Sequence, residues 1–345
     1  MCETVVNKRD ISIDIVKGIG MIAVILGHMS LPEKAVDFIF TFHMPLFFLI
    51  NGYFFKKKSF KQCVWQKFRT LIVPYLVTSI LVIASSTFWS ILRGEDVATI
   101  ISTIKMWIAA ALYGSGTYTH FLKWNIHIIG AIWFLLAMFW TDIIFNLLLK
   151  IKGTYIWGIL LAAIGYVTTE IIWLPTSLQA GLTAILFVEI GYIARRHDLL
   201  EFALNHMLVL IIAALLWGNS IVNGGHLYMV GNHYGNGIFD VLGAVSATVL
   251  LIKLGRLIAA KKSIAASALA RYGKDSLIVL CFHLIELNTF PWYLISNHFG
   301  YVVSTLLIAI LKISWSVLSI VVIKHIPVIN TVFGKKSLVT VSTST

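Results

Sequence analysis

Charge is scarce in this 345-residue chain: Asp, Glu, Lys and Arg make up 12% of it, against 59% hydrophobic residues. A soluble globular domain carries about 25% charged and about 45–50% apolar residues. The composition therefore excludes one and points to an all-α, polytopic integral membrane protein. Cysteine is also sparse. Cys2, Cys63 and Cys281 stand at unrelated spacings, which excludes a disulfide framework and a thiolate metal motif; they read as adaptable apolar side chains. Several motifs are missing as well: there is no HExxH, no GxSxG elbow, no Walker loop and no GxGxxG. "YGSGTY" at 113–118 has no flanking strand and helix to make it a nucleophile elbow. No metal site and no resident cofactor are expected, and no internal repeat is visible. The first apolar run, from Ile11, contains Asp14 and Lys17 and lacks a small-residue cleavage site, so it reads as a signal anchor.

What is present is a series of apolar runs near 11–30, 36–54, 69–92, 127–149, 154–173, 176–194, 203–219, 236–258, 275–296 and 300–323. Each has roughly the 17–25 residues needed to cross a bilayer, which predicts about ten transmembrane helices. The segment 97–113 carries Lys105 in its middle and reads as interfacial or re-entrant. With the N-terminus inside, the inner segments hold 21 of the 27 Lys and Arg residues, from Lys8 and Arg9 through Lys56–Arg69, Lys150–Lys152, Arg195–Arg196 and Lys253–Lys274 to Lys324–Lys336. Only Lys34, Arg93, Lys105 and Lys123 fall outside. That asymmetry obeys the positive-inside rule and places both termini in the cytoplasm. It also explains the net charge of +12 without nucleic acid. The chain reads as one membrane domain over 1–330, followed by a polar, disordered tail at 331–345.

Ionisable residues inside the apolar runs are costly, about 2.5–3.5 kcal/mol each at mid-membrane on insertion scales, and mark sites or internal pairs. In the first run Asp14, Lys17 and His28 fall within a 60° arc at 100° per residue, with Lys17 and His28 about 16 Å apart along the axis. The plainer alternative for Asp14 and Lys17 is a structural i, i+3 pair with Lys17 snorkelling; it does not account for His28. The stretch "TFHMPLFFLINGYFF" (41–55) places His43 two residues before Pro45, at the depth of His28, because only "LPEKAV" separates the two runs. His43 either lines a shared cavity or sets helix packing. Asn51-Gly52 allows another backbone close by. Asp142, Glu189, Asp240, His283 and Glu286 are also within runs, and Glu286, three residues on, can orient the His283 imidazole. Two outer loops, 113–127 and 219–237, mix aromatics with Asn, Gly and His. That suits a sugar, or equally ordinary loop and interfacial chemistry.

Four blocks resemble the bacterial acyltransferase-3 membrane family, which includes fucose 4-O-acetylase-like enzymes. They are "RDISIDIVKGIGMIAVILGH", with Lys17 and His28 at the family's Arg/Lys-x10-His spacing; "FHMPLFFLINGYFF"; "RTLIVPYL", with Arg69, Pro74 and Tyr75; and, spread later, "IWFL" (Trp133), "EIGYIARR", "HYGNGIF" and "YGKDSLIVLCFH". Lysine stands at 17 where arginine is more frequent, and Asn51 where the family usually has serine. The resemblance implies transfer of an acyl group, most often acetyl from cytoplasmic acetyl-CoA, to a hydroxyl of a sugar or envelope glycan, in the bacterial cytoplasmic membrane. His28, Lys17 and His43 are then the catalytic candidates: His28 as general base or acyl carrier, Lys17 near the thioester, His43 shaping the cavity. Asp14, Arg69, Tyr75, Trp133, His283 and Glu286 are the substrate-binding candidates. Many family members add an extracytoplasmic hydrolase-like domain; this sequence shows none, so the membrane domain is expected to acylate the acceptor itself or to hand over to a separate protein. The expected partners are the acyl-CoA donor, the glycan acceptor and the bilayer; a homo-oligomer is compatible with the sequence. The competing reading is a transporter or flippase for a glycan or lipid-linked sugar, which needs the same buried ionisable groups. Paired interrupted helices in two halves are not visible, and release of free CoA discriminates the two.

Overall fold

A computed structural model describes residues 10–121, 124–223 and 227–333. Lys8, Arg9, Lys123, Lys335 and Lys336, with most of the expected tail, lie outside the described residues. Seventeen α-helices occur among them. The first six are α1 (Ile11–Gly27), α2 (Glu33–Phe40), α3 (His43–Tyr53), α4 (Phe60–Lys67), α5 (Val73–Leu92) and α6 (Val97–Tyr113). Next come α7 (Trp133–Leu148), α8 (Thr154–Thr168), α9 (Leu178–Arg196), α10 (Leu199–Asn205), α11 (Met207–Val222) and α12 (Ile238–Ala260). The last are α13 (Ile264–Lys274), α14 (Ser276–Thr289), α15 (Tyr293–His298), α16 (Tyr301–His325) and α17 (Pro327–Phe333). The two outer loops contain the only strands among the described residues, antiparallel pairs β1 (Thr119–Phe121) with β2 (Trp124–Ile126) and β3 (Leu227–Tyr228) with β4 (His233–Tyr234).

Every expected apolar run contains a helix, but α7, α8 and α14 are clearly shorter than their runs. Among the described residues, five stretches are long and apolar enough to cross a membrane: Glu33–Tyr53, Phe60–Leu92, Pro175–Arg196, Ile238–Ala260 and Tyr301–His325. The pair α10 and α11, bent by 97°, makes a sixth if counted as one. α6, α7, α8 and α14 are shorter apolar helices. α7 begins at Trp133 rather than near 127 because the β1–β2 hairpin and a turn occupy 119–132, closed by Ile129 N–H donating to the Ser115 carbonyl at 2.8 Å. α14 stops at Thr289, two residues before Pro291, as the restriction on residues preceding proline dictates. α17 runs on to Phe333, past the expected boundary at 330. The 97–113 segment is one unbroken helix, capped by Asp96, whose Oδ1 accepts from Thr99 N–H at 2.9 Å. Those bonds hold the Asp96 carboxyl below the usual range.

Contacts between helix ends gather several of the basic residues at one end of the bundle. The Lys58 amide donates to Asn146 Oδ1 at 2.9 Å, Arg195 Nη1 to the Tyr53 hydroxyl at 3.2 Å, Arg256 pairs with Glu201, and Lys324 with Asp275. His28, both hairpins and the α14–α15 turn belong to the opposite end. The core is apolar and aromatic, with Phe48, Phe145, Phe187, Ile132 and Leu135 fully buried. α3 and α9 cross with their backbones nearly touching: a Cβ on Gly52 would stand 2.0 Å from the Val188 carbonyl oxygen, and one on Gly191 2.1 Å from that of Leu49. This is the close approach predicted at Asn51-Gly52, and it is open only to a residue without a side chain.

Candidate active site

The His43-x-Pro45 stretch sits where the helix breaks. α2 ends at Phe40 and α3 starts at His43, with Phe42 between them at φ −140°, ψ −29°. Pro45 is the third residue of α3, inside the first turn, where backbone N–H groups have no intrahelical acceptor, so its missing donor costs little. His43 adds a second bond at the break: its Nδ1 bonds the Ile39 carbonyl at 2.9 Å, which also accepts from the Phe42 N–H at 3.3 Å. His43 is buried and packs edge-on against Phe40, ring centroids 4.6 Å apart.

His28 caps the other helix end. α1 stops at Gly27, and His28 Nδ1 lies 2.7 Å from the Val24 carbonyl oxygen. A carbonyl only accepts, so Nδ1 carries the hydrogen and, in the neutral ring, Nε2 holds the lone pair. The ring of His283 meets that of His28 at 5.2 Å in an edge arrangement. His283 is oriented in turn by Glu286, its Nδ1 2.7 Å from Oε1, and Lys312 of α16 holds the same carboxylate at 2.8 and 2.9 Å. The last three are buried. His283 Nε2 has no hydrogen-bond partner among the described residues.

A cavity of about 460 Å³ opens beside His28. That lies within the roughly 300–1,000 Å³ of small-molecule sites. His28, His43, Trp133, Met44 and Val24 form its floor and walls, Tyr228 and Phe40 stack at one side with centroids 5.8 Å apart, and Asn288 and His127 supply further polar groups. The His28 side chain is exposed because it faces this space. No lysine or arginine lines the cavity among the described residues. No cluster of His, Cys, Asp or Glu among the described residues could hold a metal ion.

The structure thus brings His28, His43 and Trp133 to one cavity and sets His283 and Glu286 directly behind it. The other sequence candidates lie elsewhere. Lys17 pairs with Asp14 at 3.4 Å, and Asp14 lies under α13, where a Cβ on Gly273 would be 1.8 Å from the Asp14 carbonyl oxygen. Arg69 is exposed within a π-helical turn, Phe68–Ile72, next to the basic end. Tyr75 is buried and donates to the Ala111 carbonyl at 2.6 Å, tying α5 to α6. Asp142 pairs with Lys67 at 2.6 Å, and Asp240 accepts from Ser220 and the Asn236 amide. Glu189 packs against Gly158, away from the cavity. Residues that the sequence did not single out are Lys312, Phe40, Tyr228, His127 and Asn288. Lys312 carried a local signal, a lysine within an apolar run, and His127 and Tyr228 lie in the two loops whose aromatic, Asn, Gly and His content the sequence marked; their place at the cavity came only with the fold. Gly224, Gly225 and His226 of the second loop lie outside the described residues.

A family model described as an acyltransferase domain matches residues 10–325, nearly the whole chain. Among curated proteins, the Nodulation protein NolL of Mesorhizobium japonicum is 31% identical over 179 residues, 47% of this chain and 42% of that protein. The Nodulation protein NolL of Sinorhizobium fredii is 31% identical over 152 residues, 40% of this chain and 36% of that protein. The aligned region thus spans less than half the length of either relative. No solved structure matches the chain. With the signature Lys17-x10-His28 ending on a histidine at a cavity wall, and the match running from Asp10 to His325, the chain belongs to the acyltransferase-3 family of membrane proteins.

Proposed function

We propose that this protein is an O-acetyltransferase of the bacterial cytoplasmic membrane, crossing it about ten times with both termini inside. In this reading it moves acetyl from cytoplasmic acetyl-CoA to a hydroxyl of a sugar or envelope glycan. The observation that carries the reading is His28: its Nδ1 is taken by the Val24 carbonyl, its Nε2 is left as the basic nitrogen, and the ring faces a cavity of about 460 Å³. Nε2 takes the proton of the acceptor hydroxyl, the oxygen attacks the thioester carbonyl, and the C–S bond breaks. The CoA thiolate leaves and recovers the proton. General base help of this kind is worth about 10²–10⁴-fold in rate.

The cavity suits a sugar acceptor. Trp133 and the stacked Phe40–Tyr228 pair offer ring faces for its apolar side, and Asn288 and His127 offer hydrogen bonds to hydroxyls. The donor is assigned to the basic end, where exposed Arg69 and the Lys56–Lys61 loop can hold phosphates. Lys17 lies one-third of the way along α1 from that end, so the thioester end of the bound donor has about 16 Å to reach beyond Lys17 to meet His28.

Transfer is tested with acetyl-CoA labelled in the acetyl group, protein in nanodiscs and a crude envelope glycan fraction. Label in the glycan with matching free CoA supports the reading. Movement of glycan across proteoliposomes without CoA release would replace it with a transporter.

A further inference from the structure

The Glu286–Lys312 pair presents an energetic puzzle. Both side chains are almost fully buried, with relative exposures of 1% and 3%. Removing each ion from water costs several kcal/mol, and well-packed apolar residues of similar volume are often as stable or more so. Two apolar residues would therefore hold α14 against α16 at least as well. The seam is already secured by another contact, Trp315 Nε1 donating to the Phe282 carbonyl at 3.0 Å, and α16 is tied to the neighbouring α13 where the Tyr272 and Ser316 hydroxyls meet at 2.7 Å. The pair is set apart by its third arm. The oxygen that Lys312 holds at 2.8 Å is the one that His283 Nδ1 reaches at 2.7 Å.

We propose that Lys312 is a positioning residue for the acyl-transfer centre. By fixing the Glu286 carboxylate it locks His283 in the tautomer with hydrogen on Nδ1, and so presents a rigid, correctly turned ring as the wall against which the His28 imidazole is aligned. The inference rests on the acyltransferase reading above. His28 has one hydrogen bond of its own, to Val24, about which its ring could swing; the edge contact with His283 at 5.2 Å supplies the second constraint. The carboxylate is needed because its Oε1 accepts from His283 and from Lys312 at once, which no apolar residue of similar volume can do. Trp292 completes the clamp: Lys312 Nζ lies 4.7 Å from its ring centre, and its Nε1 donates to the Glu286 carbonyl at 3.3 Å. A one-ångström misplacement of a reacting group can cost about 10²-fold in rate, so an effect relayed through three side chains is large enough to measure.

The test uses the full-length protein in nanodiscs, with wild-type CoA release as the reference. Four proteins are compared: wild type, Lys312→Met, Glu286→Leu/Lys312→Met, and Lys312→Arg. Lys312→Met alone strands a buried carboxylate and is expected to lower the thermal midpoint. The double apolar variant removes both charges and is expected to keep a midpoint within a few degrees of wild type. Its kcat should nevertheless fall by about 30- to 100-fold, with KM for acetyl-CoA within twofold. Lys312→Arg, which keeps a cation on the carboxylate, should recover at least a tenth of wild-type kcat. A double variant as stable and as fast as wild type would overturn the proposal, leaving the pair a structural link. So would a loss of kcat and midpoint together that Lys312→Arg fails to restore. If folded wild-type protein releases no CoA, the acyltransferase reading itself fails, which is a separate result.

Discussion

Among the described residues, Asp142 and Glu286 are two fully buried carboxylates within apolar helices, each paired with a lysine, and they differ in what surrounds them. Asp142 of α7 is fully buried and held by Lys67 at 2.6 Å and by Asn51 Nδ2 at 2.6 Å. Each arm of that cluster ends in packed protein: Lys67 under the Phe55 ring, and the neighbouring Asn146 stapling the Lys58 backbone at 2.9 and 3.2 Å. It ties α3, α4 and α7 together at the basic end. Glu286 is just as buried and just as tightly held, but its chain of contacts runs through His283 to His28 and ends at an open cavity. A charge buried in an apolar helix identifies only a constraint. A site needs that charge to lead, through side chains in directed contact, to a ring beside an empty space.

The largest effect that would break this contrast is on His28. His28→Ala should lower kcat for CoA release by about 10²–10⁴-fold, with an unchanged elution profile and thermal midpoint, since the side chain faces the cavity rather than the core. Asp142→Ala should do the reverse. Stranding Lys67 costs about 3–5 kcal/mol of stability, read as a lower midpoint and yield, while kcat per folded molecule stays within about threefold of wild type. Gly52→Ala sharpens the packing half of the comparison: its Cβ would meet the Val188 carbonyl at 2.0 Å, and overpacking of this kind costs about 1–3 kcal/mol, visible in the same melting assay. On the cavity side, Tyr228→Ala removes one ring of the stacked pair. It should raise KM for the glycan by about three- to tenfold, equivalent to about 0.7–1.4 kcal/mol, and leave KM for acetyl-CoA alone. The smallest change expected is from Tyr75→Phe, which loses one hydrogen bond to Ala111, about 1 kcal/mol, with unaltered kcat.

The sequence conveyed the helical, membrane-type character through composition and the central histidine through its spacing, because both are local properties. Clustering of basic residues at one end was legible for the same reason: each lies at a helix end, and alternation along the chain carries the pattern. His43 and Pro45 were also readable in outline, but the physical solution was not. Pro45 escapes its cost by falling in the first turn after a break, and a break between Phe40 and His43 leaves no mark in an unbroken apolar run. Helix lengths were overestimated at α7 and α14 because apolar residues such as Ile128, Ile129, Phe290 and Trp292 continue the run after the backbone has turned. The pairing of Glu286 with Lys312 spans 26 residues and two helices, so no periodicity within either could reveal it. Tyr228 reaches the cavity only because β3 and β4 fold its loop back over α2.

The central claim is that His28, at a cavity wall, performs the chemistry of acetyl transfer. It is tested most directly by free CoA released from acetyl-CoA by purified protein in nanodiscs, wild type beside His28→Ala, each with and without envelope glycan. The account predicts glycan-dependent release by wild type and background release by an equally stable His28→Ala protein. Equal release by the two proteins would contradict it.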